Sequence, residues 1–146
     1  MNQELEQKLA AKYPKLLRQM GESELTSPMY YGFECGDGWY NLLDAMLHQI
    51  QIYVDRKQKD NPEFPQVEFA QIKEKFGGLR AYPDYYDEVI NTIISFAEDM
   101  AERTCESCGS AGKHRSYGGW YVTQCEGCSA KYKERTKRDE NPEEDQ

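Results

Sequence analysis

With 146 residues and a 38% hydrophobic share, the chain has the size of one ordinary domain and apolar material for one modest core, which excludes wholesale disorder. Its 18 Lys/Arg against 26 Asp/Glu leave a net charge of -8, an unfavourable balance for whole-molecule attraction to nucleic acid or anionic lipid. No apolar run approaches the roughly 20 residues of a membrane span, and Met1 to Lys15 lacks a secretory-signal pattern, so a cytoplasmic protein is expected.

In chain order, the first helical pattern runs from about Glu4 to Gln19, with Leu5, Leu9, Tyr13, Leu16 and Leu17 near four-residue spacing. Pro14 predicts a kink or an early end. Residues 20–36 are turn-rich, with Tyr30, Tyr31 and Phe33 close together, and read as an ordered loop or short strand. A second helix is expected from about Gly38 to Gln58, with Trp39, Leu42, Leu43, Met46, Leu47, Ile50 and Tyr53 on one stripe. Asp37 reads as its N-cap, and Asp60-Asn61-Pro62 as its stop. Two β-prone runs, Val67 to Phe76 and Leu79 to Tyr82, flank Gly77-Gly78 and predict a hairpin. A third helix is expected from about Asp84–Asp87 to Arg103, its stripe formed by Val89, Ile90, Ile93, Ile94, Ala97, Met100 and Ala101.

The strongest motif follows. Cys105-Glu-Ser-Cys108 and Cys125-Glu-Gly-Cys128 are two C-x₂-C pairs, a spacing that lets four thiolates turn toward one centre. Four soft sulfur ligands leave no open coordination position, so the metal expected here is a structural zinc ion. Gly109 suits a tight knuckle. Residues His114–Tyr117 and Trp120–Gln124 read as a hairpin around Gly118-Gly119, and the second pair opens a short basic helix from about Glu126 to Arg138. Knuckle, hairpin and helix make a treble-clef finger. Two disulfides or an iron–sulfur cluster are the competing readings of the cysteines. His114 reads as a surface residue, because four cysteines already suffice.

Charge follows the same division. Residues 1–104 hold 11 Lys/Arg against 18 Asp/Glu, and residues 105–138 hold seven basic residues against three acids. Asp139, Glu140, Glu143, Glu144 and Asp145 then form an acidic tail. The expected architecture is α+β: a helical body with a small antiparallel hairpin or sheet over residues 1–103, a treble-clef-like zinc finger over 104–138 packed on the third helix, and a flexible tail over 139–146.

The segments Cys35-Gly-Asp-Gly-Trp39-Tyr, Lys73-Glu-Lys-Phe-Gly-Gly-Leu-Arg80-Ala-Tyr82 and Cys105-Glu-Ser-Cys-Gly109, with Gly119-Trp120 before the second pair, are similar to a family of small proteins scattered through phage, prophage and bacterial genomes. The resemblance covers most of residues 30–130. It implies a bacterial or phage cytoplasmic setting and brings no catalytic assignment. By analogy with other small acidic phage proteins, a protein partner is expected, plausibly a host or defence enzyme that this chain would inhibit.

Three further constellations compete with plain structural roles. Gly77-Gly78 with Lys73, Lys75 and Arg80 offers an anion site, with Phe76 and Tyr82 to stack on a base; the plainer reading is a tight turn with solvated charges. Glu34, Cys35, Asp37 and His48 sketch a hydrolase site or a second metal site, against a reading in which Cys35 is a small buried residue and Trp39 a core anchor. The basic helix Lys131–Arg138, with Lys113, Arg115, Tyr117, Trp120 and Tyr121, suits nucleic acid, although the acidic tail competes for that helix and a protein-docking face fits better. The leading expectation is a zinc-stabilised, non-enzymatic binding protein. A nucleotide or nucleic-acid binder is the first alternative, and a hydrolase centred on Gly36-Asp37-Gly38-Trp39 the second.

Overall fold

The structure, a computed structural model, describes residues 1–140, with side chains as far as Lys137. Helix α1 spans Gln3–Lys12, where Asn2 caps it by accepting from the Leu5 amide. It stops at Tyr13 because the residue before Pro14 is pushed out of the helical region, so the expected early end is found. Beyond it Tyr13, Leu16 and Leu17 still enter the core from an irregular segment. Residues 20–36 carry a 3₁₀ turn at Pro28–Tyr31 and the two-residue strand β1, Phe33–Glu34.

A 3₁₀ turn at Asp37–Trp39 leads into helix α2, Tyr40–Asp60. Its Leu43, Met46, Leu47, Ile50 and Val54 are buried at the three- and four-residue spacing of one face. Asp37 does not cap α2, contrary to the sequence expectation. The turn displaces Asp37 from the cap position, where Trp39 sits without a side-chain capping bond, and the Asp37 carboxylate instead accepts from the Asn2 amide (2.6 Å) and its side-chain Nδ2 (2.9 Å).

Strands β2, Phe69–Lys75, and β3, Gly78–Pro83, form the predicted hairpin, and β1 pairs with β2 in parallel to complete a three-stranded sheet of order β1-β2-β3. The turn is shifted by one residue from the glycine pair. Lys75 faces Gly78, so the two central positions are Phe76 (φ 53°) and Gly77 (φ 81°), both in the left-handed region that a tight primed turn requires. Gly78 belongs to the strand. One sheet face sends Phe33, Ile72, Leu79 and Ala81 into the core, and α3, Glu88–Ala101, packs against both α2 and β3. Asp87 caps α3 through the Ile90 amide and also accepts from the Tyr53 hydroxyl at 2.7 Å. On α3 the inward residues are Ile90, Ile94, Ala97 and Ala101; Val89 and Met100, expected on that stripe, are exposed, because α3 covers the body along a narrower arc.

The carboxy-terminal part holds strands β4, Lys113–Tyr117, and β5, Trp120–Gln124, in an antiparallel pair closed by Gly118 and Gly119 at positive φ. Helix α4, Glu126–Glu140, follows directly. The fold is therefore α+β, with four α-helices, sheets of three and two strands, and a carboxy-terminal four-cysteine module among the described residues. Asp139 and Glu140 continue the α4 backbone; the expected acidic tail from residue 141 onward lies outside the described residues.

Candidate metal centre

The four cysteines converge. Their sulfurs all lie within 4.8 Å of one another, and Cys108 Sγ and Cys125 Sγ are 3.7 Å apart, which places the group close enough to hold a metal ion. Sulfurs about 2.3 Å from a tetrahedral zinc ion are separated by about 3.8 Å, so this donor set fits that geometry. All five cysteines of the chain are free thiols, which sets aside the two-disulfide reading.

Local chain chemistry presents each pair. The first sits on a knuckle after α3, where the Cys105 amide donates to the Ser110 carbonyl and the Gly109 amide to the Cys105 carbonyl; Gly109 at φ 80° makes the reversal. The second pair flanks the first turn of α4, and the Cys128 amide points at Cys125 Sγ, 3.4 Å away. There the helix N-terminus favours negative sulfur. Hydrogen bonds from Ser110 hold the Cys108 thiol below its ordinary pKa, whereas burial, together with hydrogen bonds from the neighbouring sulfurs, pushes Cys128 up. Four sulfurs this close resist joint ionisation until a cation shares their charge.

The finger meets the body at two glycine-bearing turns. The Gly38 amide donates to the Glu106 carbonyl (2.7 Å), the Gly36 amide to the Glu106 carboxylate (2.9 Å), and the Trp39 indole to the Thr104 carbonyl (2.9 Å). A side chain at Gly38 would press on the Gly109 amide at 2.6 Å and, closer still, on the Cys105 carbonyl. At Gly36 it would collide with the Glu106 backbone. The second contact is at the β2–β3 turn, where the buried Thr123 hydroxyl donates to the Gly77 carbonyl at 2.7 Å and the Gly77 Cα faces His114 and Val122. Besides these bonds to the two turns, the finger is tied to the end of α3, where the Thr104 hydroxyl donates to the Met100 carbonyl at 2.7 Å.

The other expected sites take structural or open roles. Asp37 is tied to Asn2, and Trp39 is fully buried as a core anchor. Burial pushes the Cys35 thiol up to about 12, far from a reactive thiolate, while His48 is exposed along α2 beside Asp44. Among the described residues, the four cysteines are the one group of His, Cys, Asp and Glu with metal-binding proximity, so Glu34, Asp37 and His48 do not form a second metal site. The Gly77 amide is already taken by Glu74 Oε1 at 2.7 Å, and the finger covers that turn, which leaves no anion cradle at the glycine pair. Lys73 lies opposite Arg80 on the outer sheet face, with Tyr82 exposed, and Lys75 Nζ sits 5.9 Å from the exposed Phe76 ring. His114 is exposed and packs beside Tyr121, so it is a surface residue as expected.

Sequence reasoning missed the junction residues Gly36, Gly38, Thr104, Glu106 and Thr123. Their one legible signal was a pair of glycines two residues apart immediately before a tryptophan. Among the described residues no helix is long and apolar enough to cross a membrane. No family model matches the chain, and none of the curated proteins or solved structures is significantly similar to it.

Proposed function

We propose that the chain is a small zinc-stabilised, non-enzymatic binding protein of phage or bacterial type that engages a host protein as an inhibitor. The observation that carries this reading is the closed set of four converging sulfurs at a junction locked by backbone hydrogen bonds. A metal with four sulfur ligands keeps no position for substrate or water, so its contribution is to hold the knuckle on the Gly36–Trp39 turn. The buried, high-pKa Cys35 and the engaged Asp37 carboxylate weigh against a hydrolase at that turn. Zinc is favoured over other metals because four thiolates in a knuckle-plus-helix setting suit a tetrahedral, redox-inert ion.

The test is affinity capture from bacterial lysate with zinc-loaded protein, followed by mass spectrometry and competition with untagged chain. A repeatable, competable host protein supports the reading; eluates holding no such protein contradict it. The nucleotide or nucleic-acid alternative has one observation in its favour: Lys73, Arg80 and Tyr82 share the outer sheet face. Salt-sensitive oligonucleotide binding weakened by Arg80→Ala would establish that alternative in place of the protein partner.

A further inference from the structure

We propose that the groove between α2 and α3 is the docking site for a basic amphipathic helix of the partner protein, an assignment that rests on the protein-binding reading above. The groove has a volume of about 230 Å³ and is walled by apolar side chains, chiefly Leu42, Met46, Ile93, Phe96, Ala97 and Met100. Phe96 is 69% exposed and Met100 40% exposed, so neither contributes its apolar surface to the core. An aromatic and a methionine standing open beside an apolar trough are the anchor types that recur at helix-binding grooves.

Charge selects the occupant. Helix α3 carries Glu88, Glu98 and Asp99 and no Lys or Arg. A shallow depression next to the groove shares Phe96 with it and is bordered by Asp87, Glu88 and Asp99. Among the described residues, neither Glu88 nor Asp99 is in a salt bridge. An apolar trough whose neighbouring depression, reached across Phe96, is bordered by carboxylates outside any salt bridge is complementary to a helix with bulky apolar residues on one face and Lys/Arg beside them. A second copy of this chain would bring the same acids to the same rim in a symmetric pair, where like charges oppose one another. Residues 141–146, Asn-Pro-Glu-Glu-Asp-Gln, add acid and no large apolar side chain, so they do not suit the trough either.

The experiment titrates full-length, zinc-loaded protein into fluorescent synthetic peptides of about 18 residues, long enough for five helical turns. One peptide carries Leu or Phe at i, i+3 and i+7 with Lys/Arg alongside; a second has Glu in place of the basic residues; a third is a scramble of the first. Binding of the basic peptide alone is expected, weakened at least about tenfold by Phe96→Ala and separately by Glu88→Lys with Asp99→Lys. Both positions are exposed, and helical content and metal stoichiometry verify that each variant is folded. Absence of basic-peptide binding, or binding that Phe96→Ala leaves unchanged, overturns the assignment. So does concentration-dependent dimerisation abolished by Phe96→Ala, which would give the face to a second copy. The two proposals fail separately: a host protein captured equally well by the Phe96→Ala variant removes the groove and keeps the binding function. Phe96-dependent peptide binding with no captured host protein keeps the groove and removes the host target.

Discussion

The Trp39 indole nitrogen donates to the Thr104 carbonyl at 2.9 Å, joining the largest fully buried side chain of the body to the residue that precedes the first cysteine of the cluster. Sixty-five positions separate the two in sequence. Closing so long a loop costs configurational entropy, and a metal bound by the four cysteines would offset part of it. The body core and the finger are thereby one stability problem.

The junction glycines are the most sensitive test of that coupling. Gly38→Ala places a methyl group against the Cys105 carbonyl and the Gly109 amide, and we expect a loss of about 1–3 kcal/mol in chemical denaturation. Gly127, on the first turn of α4, has no atom within 4 Å of an added Cβ. Gly127→Ala should therefore be neutral or stabilising by up to about 1 kcal/mol. Equal effects at both sites would contradict the docking.

Thr123→Val keeps the shape of a buried side chain but leaves the Gly77 carbonyl without its donor. A cost of about 1–3 kcal/mol is expected in denaturant melts. An unchanged midpoint would mean that this hydrogen bond does not hold the hairpin to the body.

Much of this arrangement was legible in the sequence, and for identifiable reasons. The cysteine pairs fix their own geometry through spacing, and Pro14 and the glycine pair act through local backbone chemistry, so the finger, the approximate start of α3, the end of α1 and the hairpin could be read directly. The junction could not. Whether Gly36 and Gly38 sit in an open turn or beneath another backbone depends on residues 70 positions away, which no local period encodes. The turn at Phe76-Gly77 shows a subtler limit: two adjacent glycines invited the turn centre, but sheet register assigned it one residue earlier and put a phenylalanine at positive φ. Asp37 read as a cap because its distant partner Asn2 was invisible.

Cys35 should behave unlike an active-site thiol. Burial pushes its pKa to about 12, so only a minute thiolate fraction exists near pH 8. Alkylation of native, metal-loaded protein followed by peptide mapping should leave Cys35 unmodified, with full labelling after denaturation. Rapid labelling of Cys35 in the folded protein would reopen the nucleophile reading.

The ion pair between Arg18 and Glu68 sets a pH dependence whose sign can be worked out. Arg18 donates twice to the Glu68 carboxylate, Nε at 2.6 Å and a terminal nitrogen at 2.7 Å, and these bonds hold the Glu68 pKa below its ordinary 4.5. A depressed folded-state pKa gives stability that is complete above the unfolded value and fades as pH falls through the folded one. Glu68→Gln should thus cost at most about 1 kcal/mol near pH 7, because Arg18 is largely exposed to solvent. That deficit should shrink as pH drops below about 4.5. A deficit that grows on acidification would show the pair to be unimportant.

Metal content joined to sulfur coordination is the most direct test of the account. Protein purified without added metal or chelator is analysed by inductively coupled plasma mass spectrometry and by X-ray absorption at the zinc edge. About one zinc per chain with four sulfur neighbours near 2.3 Å is predicted, together with loss of zinc and of thermal stability in the Cys105→Ser and Cys125→Ser variants. Protein that holds no transition metal, or whose melting is unaffected by strong chelators and by those substitutions, would contradict it.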